Sequence, residues 1–337
     1  MRAGEQVVGK PKDRRRRDRS PGEDPAEPPN LDEPDGKTWS RRRLLQFGLG
    51  GLAVVIVGGA AGFELVSHGD LPGKERLDQL DGACAVASPP LEFSAPGPST
   101  TGTFASQARN RTVGYTIAYP PGYKSGMALP LVVMLHGFGG NHTNALAGMT
   151  PAQAVALKVN GQPLAPMAIV TVDGGGGYWN PHPGDDAMSM VIDELIPMCQ
   201  ALGLGRSPQQ IGTMGISMGG YGAILLAEKY PHLITSVAAI SPAIWTSYTE
   251  ARLANAGAYA SDKSFNANNA VTHVAGLAGK PIRVVSADDD PFHPGVEAFA
   301  SALGPGSAVG FYPGCHTGPF FTSQEAPSLS FLSQHLA

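Results

Sequence analysis

Ser217 stands in Gly215-Ile216-Ser217-Met218-Gly219, between a stretch that reads as a buried strand and one that reads as a helix. Glycines flank a serine at such a turn because the chain doubles back too tightly to admit a Cβ on either side. The turn lifts the hydroxyl above the sheet and aims helix amides at the reacting oxygen. In a chain with 44 glycines the pentapeptide alone is a weak signal, and the flanking elements make it specific. A serine hydroxyl is a poor nucleophile near neutral pH, so it needs a base, and the base needs an orienting acid. Candidates for both follow in chain order. Ser286-Ala287-Asp288-Asp289-Asp290-Pro291 comes after one predicted strand, and His316, in Gly314-Cys315-His316-Thr317, lies just beyond the last. Asp290 is the expected acid because Asp290-Pro291-Phe292 would fix a turn a few residues past the strand; Asp288 and Asp289 stay open as alternatives. His293 is near Asp290 in sequence but lacks the placement of His316 beyond the last strand.

Leu135-His136-Gly137-Phe138-Gly139-Gly140 ends another predicted strand. Its backbone N–H at Phe138, together with that of Met218, is the expected pair of donors to a tetrahedral oxyanion. His136 is expected to hold this loop. Trp179 and His182 lie on a glycine-rich loop at a strand's C-terminal end, where they are candidate substrate contacts and equally candidates for loop packing. Asp185, Asp186, Asp193 and Glu194 read as caps and solvated helix faces. The three cysteines, Cys84, Cys199 and Cys315, show no metal-ligand spacing, allow at most one internal disulfide, and leave Cys315 as a packed small residue. No metal or other cofactor is expected.

The elements that must position these groups alternate along the chain. Strands are predicted at 113–119, 130–135, 167–172, 211–216, 237–241, 282–286 and 308–312, mostly as continuous apolar runs of the kind buried on both faces. Helices are predicted around Met188, Ile192, Leu195 and Cys199, and at 218–230 and 323–336. This alternation implies a doubly wound α/β domain with a mostly parallel sheet. The catalytic domain is expected at 104–337, with 246–280 as a lid segment, a linker at 67–103, and a charged, disordered tail at 1–40 that has too little apolar surface to fold.

Gly215-Ile216-Ser217-Met218-Gly219-Gly220-Tyr221-Gly222-Ala223, Ser241-Pro242, Asp290-Pro291-Phe292 and the terminal Gly-x-His together resemble the "putative esterase" family of α/β-hydrolases. That family includes the esterase D type S-formylglutathione hydrolases, feruloyl esterases and mycobacterial mycolyltransferases. The resemblance runs from about Val113 to the C-terminus. It implies the α/β-hydrolase fold and a metal-independent hydrolase or acyltransferase that works through an acyl-enzyme.

Residues 41–66 carry a second message. Ser40-Arg41-Arg42-Arg43-Leu44-Leu45 precedes an uncharged, glycine-rich apolar run at 47–63, a pattern similar to a twin-arginine export signal. An ordinary membrane anchor with a positive flank is the alternative. Ala85-Val86-Ala87 lies far downstream for a cleavage site, so a retained membrane tether is expected as readily as secretion. The body is acidic. Residues 1–43 hold 12 of the chain's 24 basic and 9 of its 28 acidic residues, leaving 12 basic against 19 acidic, a balance that argues against nucleic acid as a partner. The expected partners are a small-molecule or cell-envelope ester and the export machinery. The expected function is an exported serine esterase; the alternatives are an acyltransferase of mycolyltransferase type with the same triad, and a non-catalytic cell-envelope binding protein that kept the fold.

Overall fold

The computed structural model describes residues 82, 84–208, 210–304 and 309–337. The charged tail at 1–40, the arginine-led apolar segment at 41–66 and the first part of the linker lie outside the described residues. Eight strands form one sheet: β1 (Ser99–Ser106), β2 (Arg111–Ala118), β3 (Leu131–Leu135), β4 (Ala168–Val172), β5 (Ile211–Ile216), β6 (Ser236–Ile240), β7 (Ile282–Asp289) and β8 (Val309–Cys315). Their spatial order is β1-β2-β4-β3-β5-β6-β7-β8. β3 to β8 run parallel, while β2 pairs antiparallel with both β4 and β1. All C-terminal ends of the parallel strands therefore open on one edge, where ligands bind in sheets of this kind.

Every residue of β3, β4, β5 and β6 is buried, as the unbroken apolar runs require of strands covered on both faces. Alternate side chains feed two cores. Leu131, Val133 and Leu135 join one, with Met188, Ile224 and Phe299, while Val132 and Met134 join the other, with Phe320, Leu329 and Leu332. The first core is covered by the helix at 187–201, by α2 (Met218–Lys229) and by α5 (His293–Leu303); the second is covered by α6 (Gly318–Leu336). The helix at 187–201, α1, is continuous but contains a π-helical stretch, Met190–Leu195, and starts where Asp186 accepts the Ser189 N–H at 2.9 Å. The segment at 246–280 folds into α3 (Tyr248–Ala254), α4 (Asp262–Ala267) and two 3₁₀ turns, with Ser247 and Ser261 as N-caps. It lies on α2 at Gly276, where a Cβ would stand 2.2 Å from the Glu228 carbonyl oxygen. Among the described residues no helix is long and apolar enough to cross a membrane.

Two expectations are corrected at the start of the domain. The folded unit begins before Phe104: β1 pairs with β2 from Ser99↔Ala118 to Ser106↔Arg111, and Glu92–Phe93 pairs with Lys158 and Leu157. Threonines at 100, 101 and 103 carry strand propensity, which the surrounding Pro, Gly and Ser masked. Cys315 is not simply a packed small residue. It is disulfide-bonded to Cys84, 231 positions away. The chain after Cys84 then lies against the end of β8 and the start of α6, where a Cβ on Gly314 would meet Val86 Cγ2 at 2.9 Å and Ser88 Oγ donates to the Pro319 carbonyl at 3.4 Å.

Two carboxylates are buried within the helices. Glu325 is described with the site below. Glu228, on α2, is 6% exposed and neither of its oxygens meets a hydrogen-bond donor, so burial pushes its carboxyl up to about 9. The folded state thus keeps a proton that the unfolded chain releases near 4.5. A raised folded value means that this contribution is fully present at low pH and is lost as pH rises towards about 9. Glu325 behaves alike but only up to about 7. Chemical denaturation between pH 7 and 9 should show wild-type stability falling by up to about 1.4 kcal/mol per pH unit. Glu228→Gln should remove most of that slope, whereas an equal slope in the variant would assign it to another group.

Candidate active site

β5 ends at Ile216 and α2 begins at Met218, leaving Ser217 alone to turn the chain. It does so at φ 56°, ψ −121°, a left-handed conformation that a serine adopts only under constraint. The flanking glycines show why the space is so limited. A Cβ on Gly215 would stand 2.2 Å from the Gly219 backbone, and one on Gly219 would stand 2.0 Å from the Leu135 carbonyl oxygen at the end of β3. Hydrogen bonds on both sides hold the turn: Ser217 N–H donates to Ile240 O at 2.9 Å, and the Ser217 carbonyl accepts from Tyr221 and Ala243, each at 3.0 Å.

His316 and Asp290 converge on this serine from the ends of β8 and β7. His316 Nδ1 lies 2.8 Å from Asp290 Oδ2, and Nε2 lies 2.9 Å from Ser217 Oγ. An ionised carboxylate can only accept, so Nδ1 carries the proton, leaving the Nε2 lone pair to accept the serine O–H. Asp290 is 4% exposed, and its other oxygen accepts the Phe292 N–H at 2.8 Å, which fixes the carboxylate plane. Asp288 is exposed and Asp289 half-buried, while the carboxylate on His316 Nδ1 is that of Asp290. His293 is turned away, bonded through Nδ1 to the Ala287 carbonyl and paired with Glu297 at 3.4 Å. Two phenylalanines hold the His316 ring, Phe292 with centroids 5.1 Å apart and Phe321 edge-on at 4.9 Å.

The loop after β3 closes against the serine. Gly140 N–H donates to Gly137 O at 3.0 Å, making a tight turn with Phe138 at its corner, and a Cβ on Gly137 would stand 3.7 Å from Ser217 Cβ. Met218 is the first residue of α2, so its N–H has no helical carbonyl to meet. His136 anchors the loop from behind. Fully buried, it donates from Nδ1 to Gly137 O at 2.7 Å and accepts the Gly174 N–H on Nε2 at 2.9 Å; burial also lowers its basicity, so the ring stays neutral. In front of Ser217 lies a cavity of about 460 Å³, bounded by residues 137–140, by residues 144–147, and by Ile216, His316 and Phe321. Apart from His316 no titratable side chain lines it. Metal chemistry has no cluster to draw on among the described residues.

Trp179 and His182 do not join this cavity. Trp179 is 1% exposed, donates from Nε1 to His136 O at 3.2 Å, and covers Gly174 and Gly222, so it is a packing residue and the substrate expectation is corrected. Its place at a strand's C-terminal end made it a candidate contact; the glycines at 174 and 222 instead make room for the indole. His182 lines a separate recess with Asn180 and Asp185, bonded to Gly177 O at 2.9 Å. Sequence reading missed the 144–147 wall, Phe321, and Glu325. The carboxylate of Glu325 is fully buried and accepts the N–H groups of Ala147 and Gly148. The signal was present: Glu325 stands at spacings of four, three and four with Leu329, Leu332 and Leu336, on the apolar face of α6.

In overall structure the chain is similar to a ferulic acid esterase, at 20% identity and a TM-score of 0.58 over 70% of this chain and 98% of the other. It is also similar to an S-formylglutathione hydrolase from Agrobacterium tumefaciens, at 17% identity and a TM-score of 0.57 over 74% and 99%. Mycobacterium tuberculosis MPT51 (FbpC1) aligns at 16% identity and a TM-score of 0.51 over 74% and 100%. At such identities the likeness establishes the fold. No curated protein matches the chain in sequence. The family model described as "Putative esterase" matches residues 106–297, more than half of the chain, and the protein, with its doubly wound sheet and its serine at the turn into α2, belongs to that family.

Proposed function

We propose that the protein is a carboxylic-ester hydrolase in which Ser217 is the nucleophile, His316 the general base and acid, and Asp290 the residue that orients His316. The observation that carries this reading is the unbroken relay from Ser217 Oγ through both ring nitrogens to a buried carboxylate, at 2.9 and 2.8 Å. As Ser217 Oγ attacks the ester carbonyl, its proton passes to Nε2, and the negative charge on the carbonyl oxygen faces the N–H groups of Phe138 and Met218. His316 then gives the proton to the leaving alcohol and the C–O bond breaks, leaving an acyl-serine. Water, deprotonated by the same Nε2, attacks that acyl group and releases the acid with Ser217 restored. Asp290 stabilises the transient imidazolium and stays ionised. The uncharged cavity lining supports a neutral acyl group as cargo.

The activity is assigned to the outer side of the cytoplasmic membrane, where a small-molecule or cell-envelope ester would be met. The arginine-led apolar segment supports export, and the Cys84–Cys315 bond supports an oxidising compartment. The same bond favours signal processing ahead of Cys84, or a retained N-terminal tether, because a cut at Ala87 would leave the leader attached through sulfur.

A fluorophosphonate probe should label the wild type, and Ser217→Ala should abolish labelling; labelling that persists in the folded variant would sink the assignment. Asp290→Asn should lower kcat on a p-nitrophenyl ester on the order of 10⁴-fold, as loss of the orienting acid does in other serine hydrolases, while Asp288→Asn and Asp289→Asn stay near wild type. The oxyanion loop can be tested separately. Phe138→Ala keeps the backbone N–H and should leave kcat within about threefold, whereas Phe138→Pro removes it and should cost about 10²–10³-fold. Equal effects of the two substitutions would take Phe138 N–H out of the mechanism.

A further inference from the structure

The cavity beside Ser217 has two walls of different kinds. On one side Phe321, on the first turns of α6, packs edge-on against His316. On the other side residues 144–147 belong to no helix or strand; Asn144 turns back on Asn141, and Ala145 and Leu146 pack into the second core. The far end of this wall is held by the next turn of the same helix. Glu325, four residues after Phe321, accepts the Ala147 N–H on Oε1 and the Gly148 N–H on Oε2 at 3.1 Å, with a longer contact from Gly148 to Oε1 at 3.3 Å. Gly148 is what allows the approach: a Cβ there would stand 2.4 Å from Thr322 Cγ2 and 3.1 Å from Glu325 Oε2.

A carboxylate on the apolar face of a helix is costly, and leucine would serve packing better. Glu325 shares the buried face of α6 with Phe320, Leu329, Leu332 and Leu336, and both its oxygens are used on one loop, with no arginine or lysine among the partners of its side chain in the described residues. The side chain thus ties the end of an irregular segment to α6 and sets the position of that wall. Because Phe321 and Glu325 share one helix, the gap between the two walls is defined across a single rigid element.

We propose that Glu325 is a specificity-determining residue: by holding the N–H groups of Ala147 and Gly148 it fixes the width of the acyl cavity and restricts the enzyme to short, uncharged acyl groups. The proposal rests on the reading of Ser217 as the nucleophile. Glu325 touches no reacting atom and acts through the wall alone. Its loss should change which acyl chain is preferred, not the chemistry at Ser217.

The test compares kcat/KM for p-nitrophenyl butyrate and p-nitrophenyl dodecanoate, with labelling by a small ethyl fluorophosphonate as the control. At about pH 8, above the value of about 7 to which burial raises Glu325, the butyrate-to-dodecanoate ratio in Glu325→Gln should fall by about tenfold or more, the effect expected from losing hydrogen bonds to a charged acceptor, mainly through KM, while the labelling rate stays within about threefold. Gly148→Ala leaves the carboxylate intact and displaces the same wall, so it should shift the ratio in the same direction. Adding Thr322→Ala to Gly148→Ala removes the obstructing methyl and should restore the wild-type ratio, a rescue that general destabilisation would not give. A ratio unchanged in folded Glu325→Gln, or a Gly148→Ala shift that Thr322→Ala does not reverse, would overturn the proposal. Should Glu325→Gln not fold, the Gly148 pair decides alone. A wild type that the fluorophosphonate fails to label would instead count against the nucleophile itself.

Discussion

The structure depends on one crowded point, where the end of β3, the end of β5 and the start of α2 meet at Ser217. The backbone there sits in a left-handed conformation whose cost, of order 1–3 kcal/mol, is offset by its surroundings. The Ile240 carbonyl takes the Ser217 N–H, the Ala243 N–H takes its carbonyl, and the two flanking glycines let α2 start within contact of Leu135. This crowding decides where everything else can stand. Leu135 O lies against Gly219, so the loop after β3 is brought to the serine by the same contact that lets the helix begin. The Ser241-Pro242 turn after β6 is fixed because the chain following it returns a hydrogen bond from Ala243 N–H to the serine carbonyl, and α2 is buried on nearly every side.

The parallel sheet makes the convergence possible. Each partner of Ser217 is delivered by a different strand, but the strands run the same way, so their last residues fall on a common edge. Long-range order among residues up to 99 positions apart needs no direct contact in the chain, only register between neighbouring strands. A register shift between Ala287 and Asp289 bends the end of β7 just before Asp290, which tucks that carboxylate inward while leaving Asp288 outside.

Much of this was legible in the sequence because the determinants were local or periodic. Ser217 showed itself through glycines whose absence of a Cβ is a steric requirement, and the buried strands through unbroken apolar runs. Asp290 was favoured by the turn that Pro291 imposes, but the sequence left Asp288 and Asp289 open as alternatives. What stayed hidden was set by tertiary contact. Threonines at the start of β1 gain their strand role only from pairing with β2. Trp179 looks like a loop-tip aromatic until the glycines at 174 and 222 are seen as the two sides of its slot. Glu325 could be noticed as a charge on an apolar face, but its partners lie 177 and 178 positions away and are backbone groups, which no sequence pattern announces. The disulfide joins residues from opposite ends of the domain, and three cysteines alone cannot name the pair.

The bond between Cys84 and Cys315 also defines how the molecule would transmit force. From Cys84 the covalent path through sulfur leads at once to Cys315, whose next residue is His316. A pull applied to the N-terminal segment would therefore bypass β1 and β2 and arrive at the loop that carries the histidine. Such a load falls on the base and not on the sheet. The staple at Cys84 is thus also a mechanical coupling between the N-terminal side of the domain and the position of His316.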